Sequence, residues 1–170
     1  MPNYNRSTRE RVADIGYGLR VDTAIIDATS WGVQVAYPLF NLVGGRVMVT
    51  QIVGEITTVL SNNATLVKYY FTPTGGAQID LSAISLTIAQ LAVGKRILAA
   101  GTIGGATTFS GIGASMAQPT PYIIGTLGPL GVPPGGVIGI ESTTASLTSG
   151  AAKWSIWYYP MDDGAYLAAA

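Results

Sequence analysis

Lys153 and Ser155 stand two residues apart in the run Lys153-Trp154-Ser155-Ile156-Trp157-Tyr158-Tyr159. On an extended chain their side chains share a face, which makes a serine nucleophile with a lysine base geometrically conceivable. The polar side of an amphipathic strand gives the same spacing with no chemistry attached. The chain has no His and no Cys, which removes the commonest general base and the commonest metal ligand, and with them any disulfide scaffold or thiolate metal site. No enzyme, catalytic residue, cofactor or metal is therefore expected. Asp162-Asp163 could offer oxygens to a hard cation. Acids before a glycine, here Gly164, more simply form a turn, because Asp bonds its own backbone and Gly accepts a positive φ. The glycine-rich segment from Gly101 to Gly113 lacks both phosphate-loop orders, G-x-x-x-x-G-K-[ST] and G-x-G-x-x-G, and reads as turns.

Binding chemistry is the better prospect. Along that aromatic run, Trp154, Ile156 and Tyr158 point one way, while Lys153, Ser155, Trp157 and Tyr159 point the other. The first set is a core face. The second begins polar and ends in two large rings, which calls for a cover from another part of this chain or from another chain. Trp157 with Tyr159 could alternatively form an aromatic platform for a carbohydrate. Nucleic acid is not an expected partner. Outside the first 27 residues the cations are Arg46, Lys68, Lys95, Arg96 and Lys153, matched by Glu55, Asp80, Glu141, Asp162 and Asp163, so little counterion release is on offer.

The elements that must position these residues read as strands. Val137 to Glu141 begins after Pro133-Pro134-Gly135-Gly136, which continues no regular element. A Ser/Thr-rich link with Gly150 then leads into Lys153 to Tyr159, and the pair reads as a β-hairpin. Earlier, Val33 to Val43 with Pro38 suits an edge strand or two short ones. Gly44-Gly45 turns into Arg46 to Leu60, where Met48, Ile52 and Ile56 share one face and Val47, Val49 and Val53 the other. That strand should be buried on both faces and bent or bulged at Gly54. In Ala64 to Thr72, Leu66, Lys68 and Tyr70 alternate with Val67, Tyr69 and Phe71. Ala77 to Ala92 reads as extended, although Ile84, Ile88 and Leu91 also fit a helix face. Lys95 to Ile103, Thr107 to Ser110 and Tyr122 to Leu127 complete the set, inside a region where Gly101 to Gly139 holds half of the 22 glycines. Many short strands without βαβ alternation indicate an all-β fold, an antiparallel β-sandwich or jelly roll.

At 170 residues one domain is expected, burying ~70% of the surface of its unfolded chain. Residues 1–27 read as an extended N-terminal arm and 28–170 as the sandwich. The arm holds Arg6, Arg9, Arg11, Arg20, Glu10, Asp14, Asp22 and Asp27, close to half of all charges. Its Ser7-Thr8-Arg9-Glu10 matches a capping box for a short helix that packs on the domain or orders on a partner. The start lacks the apolar core of a signal peptide, and Gly, Pro, Ser and Thr interrupt the long uncharged region, so synthesis in the cytosol and no membrane insertion are expected. Zero net charge over a charge-poor body suits a chain that hides surface in an assembly.

Three stretches carry a family likeness. Leu39-Phe40-Asn41-Leu42-Val43-Gly44-Gly45-Arg46-Val47, then Val53-Gly54-Glu55-Ile56-Thr57-Thr58, and Pro134-Gly135-Gly136-Val137-Ile138 through Gly150-Ala151-Ala152-Lys153-Trp154 to Tyr159-Pro160-Met161-Asp162-Asp163-Gly164-Ala165 resemble tailed-bacteriophage head-decoration, or cement, proteins. The resemblance spans roughly residues 35 to 165, rests on spacing and short strings, and does not extend to the Gly/Pro-rich insertion between 101 and 135. It implies a jelly-roll sandwich on the virion's capsid exterior, commonly a homotrimer, that staples the major capsid protein; it would also tolerate a tail-associated role. On this reading the partner contacts are Arg6, Arg9 and Arg11 of the arm with Trp157 and Tyr159, and the competing reading is a carbohydrate- or receptor-binding β-sandwich module.

Overall fold

A computed structural model of the chain describes residues 18–32, 35–85, 87–98, 108–110, 121–125 and 135–170. In chain order the elements are β1 (Leu19–Asp27), α1 (Ala28–Trp31), β2 (Ala36–Val43), β3 (Val47–Thr58), β4 (Leu66–Pro73), β5 (Ile79–Asp80), β6 (Arg96–Leu98), β7 (Thr108–Ser110), β8 (Tyr122–Ile124), β9 (Gly135–Thr143), β10 (Ala151–Pro160) and β11 (Tyr166–Ala169). Sheet A runs β1-β10-β3-β6-β7, with β8 also on β3, and sheet B runs β11-β2-β9-β4-β5. Every described pairing is antiparallel. The two sheets enclose one core, so the chain is an all-β sandwich.

The core shows why the strands face as they do. Val67, Tyr69 and Phe71 of β4 and Trp154, Ile156 and Tyr158 of β10 are all buried in it, as their period-2 spacing requires. Trp154 is fully buried at the centre, edge-on to Trp31 with centroids 5.5 Å apart and to Tyr69 at 5.9 Å. Tyr69 reaches across from sheet B and donates its hydroxyl to the Ile97 carbonyl of sheet A at 3.1 Å.

Several expectations change. The run β9 to β10 is not a hairpin: β9 lies between β2 and β4 in sheet B, and β10 between β1 and β3 in sheet A. The seven-residue link 144–150 is long enough to cross the ~10 Å between packed sheets. It closes one end of the core, with Leu147 buried and its amide donating to the Gly32 carbonyl at 2.6 Å. Strand β9 also starts two residues before Val137, because Gly136 lets the Phe71 ring lie against it where a Cβ would collide.

Residues 19–27 form β1, an edge strand paired with β10 from Leu19↔Tyr158 to Asp27↔Ala151. Leu19, Val21 and Ile26 pack against the core, a bulge between Asp22 and Ile25 leaving Ile25 outward and Ile26 inward, and the inward Thr23 accepts the Trp154 amide on its Oγ at 3.1 Å. The capping box at Ser7 lies outside the described residues.

Strand β3 is not bulged at Gly54. Its register against β10 shifts at Thr50 and at Thr57. The first bulge brings Val47 and Val49 onto the same buried face as Ile52 and Ile56, which leaves Met48 outward and Val53 the buried member of the outer face. Gly54 instead makes room for the core, since a Cβ there would overlap the Trp154 ring. Strand β2 is internal, flanked by β11 and β9, yet it holds Pro38 because β11 reaches only to Phe40, so β2 is an edge at its proline. The segment after β5 is irregular and extended: the Ser82 and Ser85 hydroxyls accept the Tyr69 and Val67 amides, each at 2.9 Å. Of the expected strand Lys95 to Ile103, Arg96–Leu98 is strand and residues 99–103 lie outside the described residues.

Candidate protein-interaction face

The registers of β1, β10, β3, β6 and β8 fix which side chains share the outer face of sheet A. One row is Tyr159, Met48 and Ile123, and the next is Arg20, Trp157 and Gln51. Below them lie Asp22, Ser155, Val53 and Leu98, then Ile25, Lys153, Glu55 and Arg96. The face is apolar and aromatic at one end and charged at the other.

Trp157 and Tyr159 stand on this face as their spacing predicts, both partly buried. Part of the cover expected for Trp157 comes from its own chain: the Arg20 guanidinium carbon lies 5.0 Å from the ring centroid, a cation–π arrangement. Arg20 is held by Asp22, with Nε to Oδ1 at 2.7 Å. Ile123 at the top and Ile25 at the lower corner remain 53% and 62% exposed. Arg6, Arg9 and Arg11 lie outside the described residues.

Asp22 organises the charged end. It accepts from the Ser155 hydroxyl at 2.6 Å, and Lys153 Nζ lies 3.7 Å from its other oxygen. Burial pushes the Asp22 carboxyl up, and the hydrogen bonds of Arg20 and Ser155 with the charges of Arg20 and Lys153 outweigh it, leaving the pKa below the ordinary value. Lys153 and Ser155 thus both answer to Asp22. Ser155, buried, also accepts from Arg20 Nη2 at 3.3 Å, an arrangement that holds β1 to β10 and presents no free hydroxyl.

Asp162 is likewise committed. It accepts the Arg46 amide at 2.7 Å and the guanidinium at 2.7 to 3.2 Å, a forked pair joining the β2–β3 turn to the β10–β11 turn. Arg46's hydrogen bonds hold the Asp162 carboxyl down to about 2. No group of three His, Cys, Asp or Glu gathers among the described residues as a metal site would need, and no described helix is long and apolar enough to cross a membrane.

Sequence reasoning missed Arg20, Asp22, Ile25, Met48 and Ile123 as members of the face. The signal for the first two was present: Leu19, Val21 and Thr23 alternate with Arg20 and Asp22, the period of a half-buried strand. Met48 was hidden by the bulge at Thr50. No family model, curated protein or solved structure matches the chain.

Proposed function

We propose that this chain is a structural virion protein, a decoration protein that binds between subunits of a bacteriophage capsid as a homotrimer and has no catalytic role. The observation that carries the reading is the outer face of sheet A, where Trp157, Tyr159, Met48 and the exposed Ile123 form an apolar end beside charges already paired within the chain. Paired charges bring a smaller desolvation cost into an interface than bare ones, and aromatic residues with Arg are the usual anchors of such interfaces. Composition supports it too, since 11% charged residues leave little to keep an isolated domain dispersed. The virion assignment itself rests on the likeness of the three quoted stretches to head-decoration proteins.

The strand orders support reading the sandwich as a jelly roll. β1-β10-β3-β6 faces β2-β9-β4-β5, with β1 to β4 alternating between the sheets and β9, β10 and β11 doing so again. The mechanism is interface burial. At ~25 cal/mol per Å² a standard interface of roughly 1,600 Å² has a large gross hydrophobic term, offset by association and ordering costs, and repetition over a lattice adds avidity. The N-terminal residues that precede β1 dock on the shell or on a neighbouring copy.

Light scattering on the purified full chain tests the oligomer. A trimer is expected, and Ile123→Asp, which places an unpaired charge at the apolar end, is expected to dissociate it or to weaken attachment to heads. A monomer whose attachment to heads is indifferent to Ile123→Asp and Trp157→Ala contradicts the assignment of this face.

A further inference from the structure

The outer face of sheet B offers a second surface of different chemistry. At the end of the sheet nearest the β2–β3 turn lies an open cleft of about 490 Å³, walled by Asn41, Val43, Thr72, Pro73, Thr74 and Val137. Asn41, Val137 and Thr72 form one row across β2, β9 and β4. Tyr166 lies opposite Val43 on β11 and is 49% exposed. None of the described residues lining the cleft is charged; the Lys68, Asp80 and Glu141 cluster of this face sits four residues along β4, about 13 Å away. The Asn41 amide and the Thr72 hydroxyl make no hydrogen bond within the described residues.

We propose that this cleft binds a neutral saccharide. An ionic ligand would lose its hydration with no opposite charge to meet it, and a wholly apolar one would strip water from the Asn41 and Thr72 polar ends and leave them unpaired. A pyranose ring has hydroxyls at its edge and C–H bonds on its faces. The first match the amide and hydroxyls, the second match Val43, Val137 and Pro73, and Tyr166, exposed and opposite Val43, is the aromatic side chain available for stacking. On sheet A, by contrast, Arg20 already occupies a face of Trp157. The inference stands independently of the virion assignment.

Saturation-transfer NMR on the full chain, with cellotetraose, maltotetraose and chitotetraose as probes and sialyllactose as the charged comparison, tests it. At least one neutral probe is expected to bind, with affinity reduced roughly tenfold by Asn41→Ala or Tyr166→Ala and unchanged by Trp157→Ala. Thr72→Val keeps the shape while removing the hydroxyl, and is expected to weaken binding without moving the unfolding midpoint. Absence of transfer from every neutral probe at millimolar concentration, preference for sialyllactose, or binding indifferent to Asn41→Ala, Tyr166→Ala and Thr72→Val overturns the proposal.

Discussion

Gly54 and Trp154 are the most consequential pair of residues in the core. The ring fills the space that any side chain at 54 would need, so Gly54→Ala forces overpacking at the centre of the sandwich and is expected to destabilise by about 3 kcal/mol, the upper end for such changes. The check is a lower urea midpoint at unchanged m; an unchanged midpoint contradicts the packing described. The Arg46–Asp162 pair makes a prediction in pH. The folded Asp162 carboxyl lies at about 2 against an ordinary 3.8, so its stabilising effect is complete above the ordinary value and is lost as pH falls towards 2. Asp162→Asn should remove that part of the acid sensitivity, and an identical acid slope in the variant contradicts it. The burial of Trp154 was legible from alternation along one strand. The Arg46–Asp162 pair was not, because the partners are 116 positions apart and only the meeting of two turns joins them.

Among the elements, β4 and β10 were the most legible, since each buries one face and repeats with period 2. Strands β9 and β10 were correctly recognised as strands and wrongly paired with each other, because sequence separation alone cannot distinguish a hairpin from a crossing between sheets. β1 was hidden by its charges. Arg20, Asp22 and Asp27 resemble a solvated arm until β10 is seen beside them, with Ser155 bonded to Arg20 and Asp22 and Lys153 facing Asp22. Truncation separates arm from strand. Removing residues 1–17 leaves β1 whole and is expected to change stability by less than about 0.5 kcal/mol. Removing residues 1–27 takes away the Thr23 acceptor of the buried Trp154 amide and three core contacts, and is expected to give a broad transition at a much lower midpoint. Equal midpoints for the two truncations would restore the longer arm.

At the scale of the whole molecule, the two outer faces differ. Sheet A presents an apolar, aromatic end beside paired charges, and sheet B a cleft without charge among its described lining residues. The class of fold was legible from short strands and turn spacing, whereas the two faces became visible only with the registers, because bulges at Thr50, at Thr57 and in β1 reset which residues point outward. The central claim is attachment to a capsid through sheet A, and it has a direct measurement: quantitative mass spectrometry of gradient-purified phage particles encoding this chain. The account predicts the protein in intact heads at a copy number in multiples of three, comparable with the number of lattice positions. Particles lacking it, with the chain left entirely in the unassembled fraction, would contradict the account.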